Sequence, residues 1–524
     1  GEVDALAVAG VFAVRNPAHE TAARDVAAAE LGLPVTCSHE LSAKLGGPRR
    51  ALTTLLNARL VGMIRRLIEA TEGLLAARGI DAPLMVVRGD GALMGAAVSR
   101  ARPIETILSG PAASIVGAAH LTGLDRALVA DIGGTTTDIA ALEGGRPRLD
   151  PVGARVGGWT TMVEAVAMRT HGLGGDSEAR LEESGLRPRL VLGPRRATPV
   201  SLYAAERPEA LETLSSQLAR GRAEAHDGVL AAPGPRRPAA GDERAAAILE
   251  AVGEGAAVED LKLGPRGQPA LERLFAQGVL RRVAFTPSDA AHALGLHGAW
   301  SAEAARLAAA IFARRKGGDG KPFAESGEAA ARKVVDALTR RSAELALEAA
   351  LAEDGFEEPD LTASSLGAAA LDGRRGFAAP ALSLTAPLIG LGASAPVYYP
   401  AVARLAGAEA AIPEHADVAN AVGAVVGRVA ARAEATILSP DGERFDLAAG
   451  GPPQVFANYA AAKAAAEAWA RTEAAARAEA AGAEGPEVSL IWEEKRAAIE
   501  GRDVLIEARL TASAQGRPRH GGGA

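Results

Sequence analysis

The chain has 524 residues, 48% apolar and 23% charged, which excludes wholesale disorder or a collagen-like fibre and leaves room for roughly three domains of about 150 residues. Aromatic residues are only 3%, so any core rests on Leu, Val, Ile and Ala, and the single Cys37 excludes an internal disulfide or a metal site of several thiolates. The 57 Lys and Arg against 64 Asp and Glu give a net charge of -7 with no basic stripe, and no apolar run reaches the ~18 residues of a spanning helix, so neither nucleic acid nor membrane is an expected partner and a reducing cytoplasm is the expected compartment.

In chain order, residues 1–105 alternate short apolar runs with amphipathic helices, the rhythm of an α/β layer. A strand is expected over 5–14, a helix over 19–31, a short strand over 35–38 and another over 84–87, followed by a Gly89-Asp90-Gly91 turn. A long helix is expected over 49–78 with Leu55, Leu56, Leu60, Ile64 and Leu67 on one face. Residues 106–243 are richer in Gly and Thr and form the expected ligand-binding α/β core, closing in a Pro/Gly surface loop at 230–243. A mostly helical insertion over 244–380 carries a second loop at 314–321, and 381–430 return to strand, glycine turn, helix and strand. The last segment, 431–524, reads as a small α+β domain with an Ala-rich helix over 454–481 and paired strands at 488–492 and 504–510. Because the sequence opens on Gly1 and is strand-like by Ala5, it is expected to begin in mid-domain.

The most informative stretch is Ala127-Leu-Val-Ala-Asp131-Ile-Gly133-Gly134-Thr135-Thr136-Thr137-Asp138-Ile-Ala-Ala-Leu142. An aliphatic strand ends on a carboxylate, turns through two glycines and three threonines, meets a second carboxylate and becomes a strand again. Glycines let backbone N–H groups approach an anion, and with threonine hydroxyls they make a nest for phosphate oxygens. A strand-end carboxylate suits a hydrated Mg²⁺. A plain hairpin has no need of two carboxylates bracketing such a run.

Asp131 to Asp138 resembles the phosphate motif of the actin, sugar-kinase and heat-shock-chaperone ATPase superfamily, and its surroundings resemble the hydantoinase A/oxoprolinase family more narrowly. Arg102-Pro-Ile-Glu-Thr-Ile-Leu-Ser109-Gly110-Pro111-Ala-Ala-Ser114 is similar to that family's segment just upstream of the hairpin. Thr170-His171-Gly172-Leu-Gly174-Gly175-Asp176-Ser177 resembles its second glycine loop, usually of a Thr-Val-Gly-Ala-Gly-Gly-Gly-Ser type. Pro387-Leu-Ile-Gly390-Leu-Gly392-Ala393 and Ile412-Pro413-Glu-His415 are similar to later nucleotide-side segments. Family members begin with a further phosphate hairpin from the opposite lobe, and no such segment precedes Asp131 in this sequence.

The resemblance implies an actin-like (ribonuclease H-like) α/β fold and an ATP-dependent enzyme that activates a small cyclic amide by phosphorylating its carbonyl oxygen, with a hydantoinase B-like partner subunit completing hydrolysis. An ATP-dependent ketone carboxylase subunit and a nucleotide-dependent switch without turnover are the alternatives. On this reading Gly133, Gly134, Thr135, Thr136 and Thr137 cradle the phosphates of ATP, and Asp131 holds Mg²⁺ and takes part in catalysis. Asp138 is a supporting carboxylate or a base, and His171 contacts substrate or phosphate. Gly174, Gly175 and Ser177 form a second rim, and Gly390, Gly392 and Ala393 face the nucleoside.

Other motifs have plainer expectations. Gly390-x-Gly392-x-x-Ala395 lacks the N-terminal βαβ context of a dinucleotide site. Gly317-Gly-Asp-Gly-Lys321-Pro322 has proline where a phosphate loop needs Ser or Thr, and reads as a loop tip. His292 and His297 are five apart rather than at metal-binding i, i+4 spacing. The 271–291 segment is expected to pack rather than to read DNA.

Overall fold

The computed structural model describes residues 3–182, 188–239, 241–264, 267–316, 320–356, 358, 361–440, 444–499 and 502–519. Of the sequence expectations, Ala240 of the Pro/Gly loop and 317–319 of the Gly317 stretch lie outside the described residues. The chain divides into two compact units, one of Gly1–Asp125, Leu142–Ala167 and Val418–Ala524, the other of Arg126–Ala141 and Met168–Asp417.

The first unit opens on two short parallel strands, Leu6–Val8 and Val35–Cys37, paired Leu6 to Val35 and joined through the helix Ala18–Leu31. The expected first strand is shorter than the 5–14 run, because a turn follows from Val11. The long helix forms over Gly47–Ala77, but its buried face is not the leucine face: Arg50, Thr53, Thr54, Asn57, Ala58, Val61 and Ile68 are inside, whereas Leu55 and Leu67 are 53% and 61% exposed. The reason is a polar network. Asn57 Nδ2 donates to Thr36 Oγ1 and to the Ala101 carbonyl, both at 3.0 Å, while Asn57 Oδ1 accepts the Ile104 N–H at 3.0 Å. Arg50 donates to Ser38 Oγ at 2.9 Å and to the carbonyls of Lys44, Val11 and Gly10. Buried polar groups that find all their partners can orient a helix as firmly as an apolar stripe does.

The same unit holds a seven-stranded sheet whose main path runs Gln454–Phe456, Phe445–Ala448, Val429–Leu438, Arg502–Pro518, Ala483–Ile499. The expected terminal strands pair within the last two of these, with Trp492 opposite Leu510. The Ala-rich helix begins at Tyr459, where the Asn458 side chain accepts the Ala461 N–H at 2.8 Å, and 454–456 is strand instead. Ala462, Ala466, Ala470, Ala474 and Ala478 recur every four residues and are all fully buried against the sheet, so this helix packs through methyl groups at close range.

In the second unit, five strands run in the order Met168–His171, Thr137–Glu143, Ala127–Ile132, Leu388–Leu391, Ala410–Ala411. Leu388–Leu391 lies parallel to Ala127–Ile132 with Leu391 opposite Asp131, which brings the late glycine turn beside the end of the early strand. The 27-residue helix Gly327–Glu353 is capped by Ser326 Oγ, which accepts the Ala329 N–H at 3.1 Å, and it sends Leu338, Leu345 and Leu347 into one core with Leu128, Ala130, Ile132 and Ile139. Residues 243–371 are largely helical as expected. Leu230–Pro233, however, is a buried strand in a four-stranded sheet with Leu280–Ala284, Ala256–Ala257 and Thr198–Pro199, so the expected surface loop starts only after it. Leu280–Ala284 and its flanking helices contribute residues to two apolar cores.

Candidate functional site: a phosphate-type hairpin braced by a second glycine loop

All the elements of the site lie in the second unit. Strand Ala127–Ile132 is buried except for Asp131, which is half-buried at its end. The turn is closed by the Gly133 N–H donating to the Thr136 carbonyl at 2.9 Å. Gly133 and Thr135 are exposed at the tip, and among the described residues the N–H groups of Gly134, Thr135 and Thr136 donate to no other backbone group. Neighbouring N–H groups left over in a tight turn are the donors an anion nest requires.

The second loop is laid against this tip backbone to backbone. The Gly175 N–H donates to the Gly133 carbonyl at 3.1 Å and the Asp176 N–H to the Gly134 carbonyl at 2.7 Å. A Cβ on Gly174 would stand 2.5 Å from both of those carbonyl oxygens, so only glycine permits the approach. The loop is also tied to itself, since Ser177 Oγ accepts the Gly174 N–H at 2.9 Å. Thr137 is fully buried and donates its hydroxyl to the Leu173 carbonyl at 2.7 Å. Gly174, Gly175, Ser177 and Thr137 are thus placed as braces, whereas Gly133, Gly134, Thr135 and Thr136 form the open tip.

Asp138 and His171 sit on adjacent strands one register step apart, with Thr170 opposite Asp138 and His171 opposite Thr137. Burial pushes the Asp138 carboxyl up, against the opposing pull of the Thr170 hydroxyl and of His171. Burial, with Arg341 nearby, holds His171 below the ordinary imidazole range. Asp138 Oδ1 and His171 Nε2 are both buried and make no hydrogen bond among the described residues. A carboxylate of raised basicity and a neutral imidazole are suited to handling a proton, and unsatisfied buried polar atoms gather where chemistry is done.

On the other side of Asp131, Gly392 takes φ +99°, and a Cβ there would overlap the Ile132 carbonyl and come within 3.4 Å of Asp131 Oδ1. Gly390 is a packing position, where a Cβ would meet the Tyr399 ring at 2.9 Å, and Ala393 is exposed beside the turn. The Tyr399 phenol is fully buried and is pushed up by that burial and by the Asp131 carboxylate.

Five participants escape a reading by motif. The Ser288 N–H donates to the Gly175 carbonyl at 2.9 Å, and Tyr398 donates to the Pro287 carbonyl at 3.0 Å. Asp289 anchors the same wall by accepting from Val200, Ser201 and Thr286, although burial still pushes its carboxyl up to about 6. Asp176 and Arg196 form an ion pair at 3.1 Å beside the hairpin tip. Of these, only Asp176 had a sequence signal, the departure from glycine in its loop.

The remaining metal-like clusters are structural. His292 stacks on Trp300 and bonds the Ser288 carbonyl at 2.7 Å, and His297 Nδ1 lies 3.3 Å from His292 Nε2 and accepts the Ala299 N–H at 3.4 Å. Glu20, Cys37 and His39 gather ligand atoms within 4.8 Å of one another, but both Glu20 oxygens already accept protein donors and burial pushes the Cys37 thiol up to about 11. No helix among the described residues is long and apolar enough to cross a membrane.

Residues 50–210 match the family model described as Hydantoinase/oxoprolinase. The caprolactamase alpha subunit of Pseudomonas jessenii is 33% identical over 204 residues, 37% of this chain and 28% of that protein. The acetophenone carboxylase gamma subunit of Aromatoleum aromaticum is 29% identical over 202 residues, 37% of this chain and 27% of that protein. Among solved structures, the ATP-dependent caprolactamase of Pseudomonas jessenii superposes with a TM-score of 0.58 at 19% identity, covering 99% of this chain and 65% of that one. A nucleotide-free acetone carboxylase, from work on ATP-dependent acetone carboxylation, superposes with a TM-score of 0.56 at 14% identity, covering 98% and 64%. The matched stretch thus spans little more than a quarter of these curated relatives. The expected actin-like α/β fold is the fold of these neighbours.

Proposed function

We infer that the chain, whose residues 50–210 match the hydantoinase/oxoprolinase family model, is an ATP-dependent subunit that activates the carbonyl of a small cyclic amide, with a hydantoinase B-like partner completing hydrolysis. The observation that carries this reading is the hairpin tip of Gly133 to Thr136, held in place by the second glycine loop, in which the N–H groups of Gly134, Thr135 and Thr136 donate to no backbone group among the described residues. An amide carbon is a poor electrophile. Transfer of the γ-phosphoryl group to the amide oxygen forms one P–O bond, breaks another and releases ADP, and it makes that oxygen a leaving group for attack by water. Protein groups in such a transfer mainly position and neutralise charge.

In this reading the N–H groups of Gly134, Thr135 and Thr136 receive phosphate oxygens and Asp131 orients Mg²⁺, which supplies charge neutralisation when bound. Asp138 and His171 manage the proton on the reacting group, and Gly392 and Ala393 border the nucleoside. The narrow turn fits, since a side chain at Gly134 or Gly392 would fill the approach. The cyclic amide is favoured by the 33% identity to a caprolactamase subunit. A ketone carboxylase subunit is the second reading, supported by the 29% identity to an acetophenone carboxylase subunit.

The test is ATP turnover by the chain with its partner subunit across lactams, hydantoins and ketones, the ketones with bicarbonate. Lactam-stimulated ADP release is the expected result. Asp131→Ala should lower kcat by about 10²-fold or more, the scale of losing a main electrostatic contact in the transition state. Unchanged turnover in that variant removes Asp131 from its role, and stimulation by ketones alone selects the carboxylase reading.

A further inference from the structure

Asp176 stands where it should interfere with an anion site. Its carboxylate lies against the Cα of Gly134, so a Cβ there would overlap Oδ2 and come within 3.3 Å of Oδ1. Its N–H is fixed to the Gly134 carbonyl at 2.7 Å and its own carbonyl accepts the Ala197 N–H at 2.9 Å, so its backbone is held on both sides. The side chain is 14% exposed, and burial pushes its carboxyl up while Arg196 pulls it down. Arg196, at the end of strand Arg189–Arg196 and opposite Ser177, donates Nε and Nη2 to the same oxygen, Oδ2, at 3.3 and 3.1 Å. Oδ1 receives no donor among the described residues, and the Arg196 side chain is 63% exposed. A negative charge pressed on a nest of N–H groups opposes an incoming phosphate unless a cation arrives with it.

Resting on the ATP reading above, we propose that Asp176 and Arg196 form a charge-exchange pair: Asp176 accepts the divalent cation that accompanies the polyphosphate, through Oδ1, and Arg196 turns from Asp176 to a phosphate oxygen. A carboxylate with one uncommitted oxygen suits a cation that keeps most of its waters. A guanidinium held by a single exposed ion pair exchanges one oxyanion for another at little cost. The pair therefore makes this site select metal-bound nucleotide over free nucleotide, a discrimination that a glycine at 176 cannot supply.

The experiment is equilibrium binding of ATP by calorimetry, with Mg²⁺ and with EDTA, to the full chain and to Asp176→Asn, Asp176→Glu and Arg196→Met, with folding checked by circular dichroism. The wild-type chain should bind the magnesium complex at least tenfold more tightly than free ATP. Asp176→Asn should lose about tenfold for the complex while holding or gaining affinity for free ATP, so that the preference collapses, and Asp176→Glu should keep the preference. Arg196→Met should weaken both forms about tenfold. A wild-type chain that binds neither form defeats the ATP reading and this proposal with it. A wild-type preference that survives in Asp176→Asn overturns the exchange pair and leaves the ATP reading standing.

Discussion

The Glu20 carboxylate is 2% exposed and accepts the Gly10 N–H at 2.5 Å, Ser38 Oγ at 2.5 Å, the His39 N–H at 3.0 Å and His39 Nδ1 at 2.6 Å. Burial alone would raise its pKa, but the Ser38 hydroxyl and the His39 and Gly10 N–H groups outweigh burial and hold it below its ordinary 4.5. The folded state therefore binds fewer protons than the unfolded chain across the interval between the two values. The stabilisation is fully present above about pH 4.5 and is lost as pH falls through the lowered value. Glu20→Gln should cost about 1–3 kcal/mol at neutral pH and flatten the acid limb of stability. Urea melts of both proteins from pH 3 to 7 check this, and parallel acid limbs would contradict it. The same kind of detail governs the candidate site: Asp131 and the Gly133–Thr136 tip were legible as a motif because each residue type has a local reason to be there. The Asp176–Arg196 pair was not, because an arginine twenty residues away reaches the tip only through the strand pairing of 177 with 196.

At the scale of elements, the helix Ser109–Thr122 crosses the helix Ala419–Val426 at backbone contact. A Cβ on Gly117 would overlap the Ala419 carbonyl, and one on Gly423 would overlap the Ala113 carbonyl. Neither glycine serves a turn; each lets the backbone of one helix lie directly on the other. Gly117→Val should separate them and destabilise the first unit by about 1–3 kcal/mol, the range for overpacking a tight contact, whereas Gly110→Val, at an open position, should cost much less. Thermal melts of the two variants make the comparison, and equal losses would show that a general cost of placing valine in this helix, rather than the crossing, is responsible. Elements with strong periodicity appeared where the sequence placed them, as at Ala18–Leu31 and Gly47–Ala77. Which face of Gly47–Ala77 is buried did not follow, because Arg50 and Asn57 are made internal by partners at Gly10, Thr36, Ala101 and Ile104 that no local pattern announces.

At the scale of the molecule, each unit has its own apolar core. The first is built around Ala433, Ile437, Leu447, Leu510 and the alanines of Tyr459–Ala480. The second has one core around Leu128, Ile139, Leu388 and Tyr398, and another around Val200, Leu214, Phe285 and Phe312. Leu510→Ala, at a fully buried position, should cost about 2–5 kcal/mol. Hydrogen exchange should then speed up across Val429–Leu438 and Arg502–Pro518 while protection of Ala127–Ile132 and Leu388–Leu391 is kept. Equal loss in both sets would mean that the cores unfold as one.

By itself the sequence determined the α/β alternation, the phosphate-type hairpin at Asp131–Asp138 and the family resemblance, since apolar periodicity and the residue demands of a tight anion-binding turn act over a few neighbouring positions. Only the tertiary structure decided which glycines open the nest and which brace it, that Thr137 points inward, and that Asp176 with Arg196 flanks the tip. Those outcomes depend on which strand lies against which, a choice made by burial over the whole unit and invisible to any local stretch of chain.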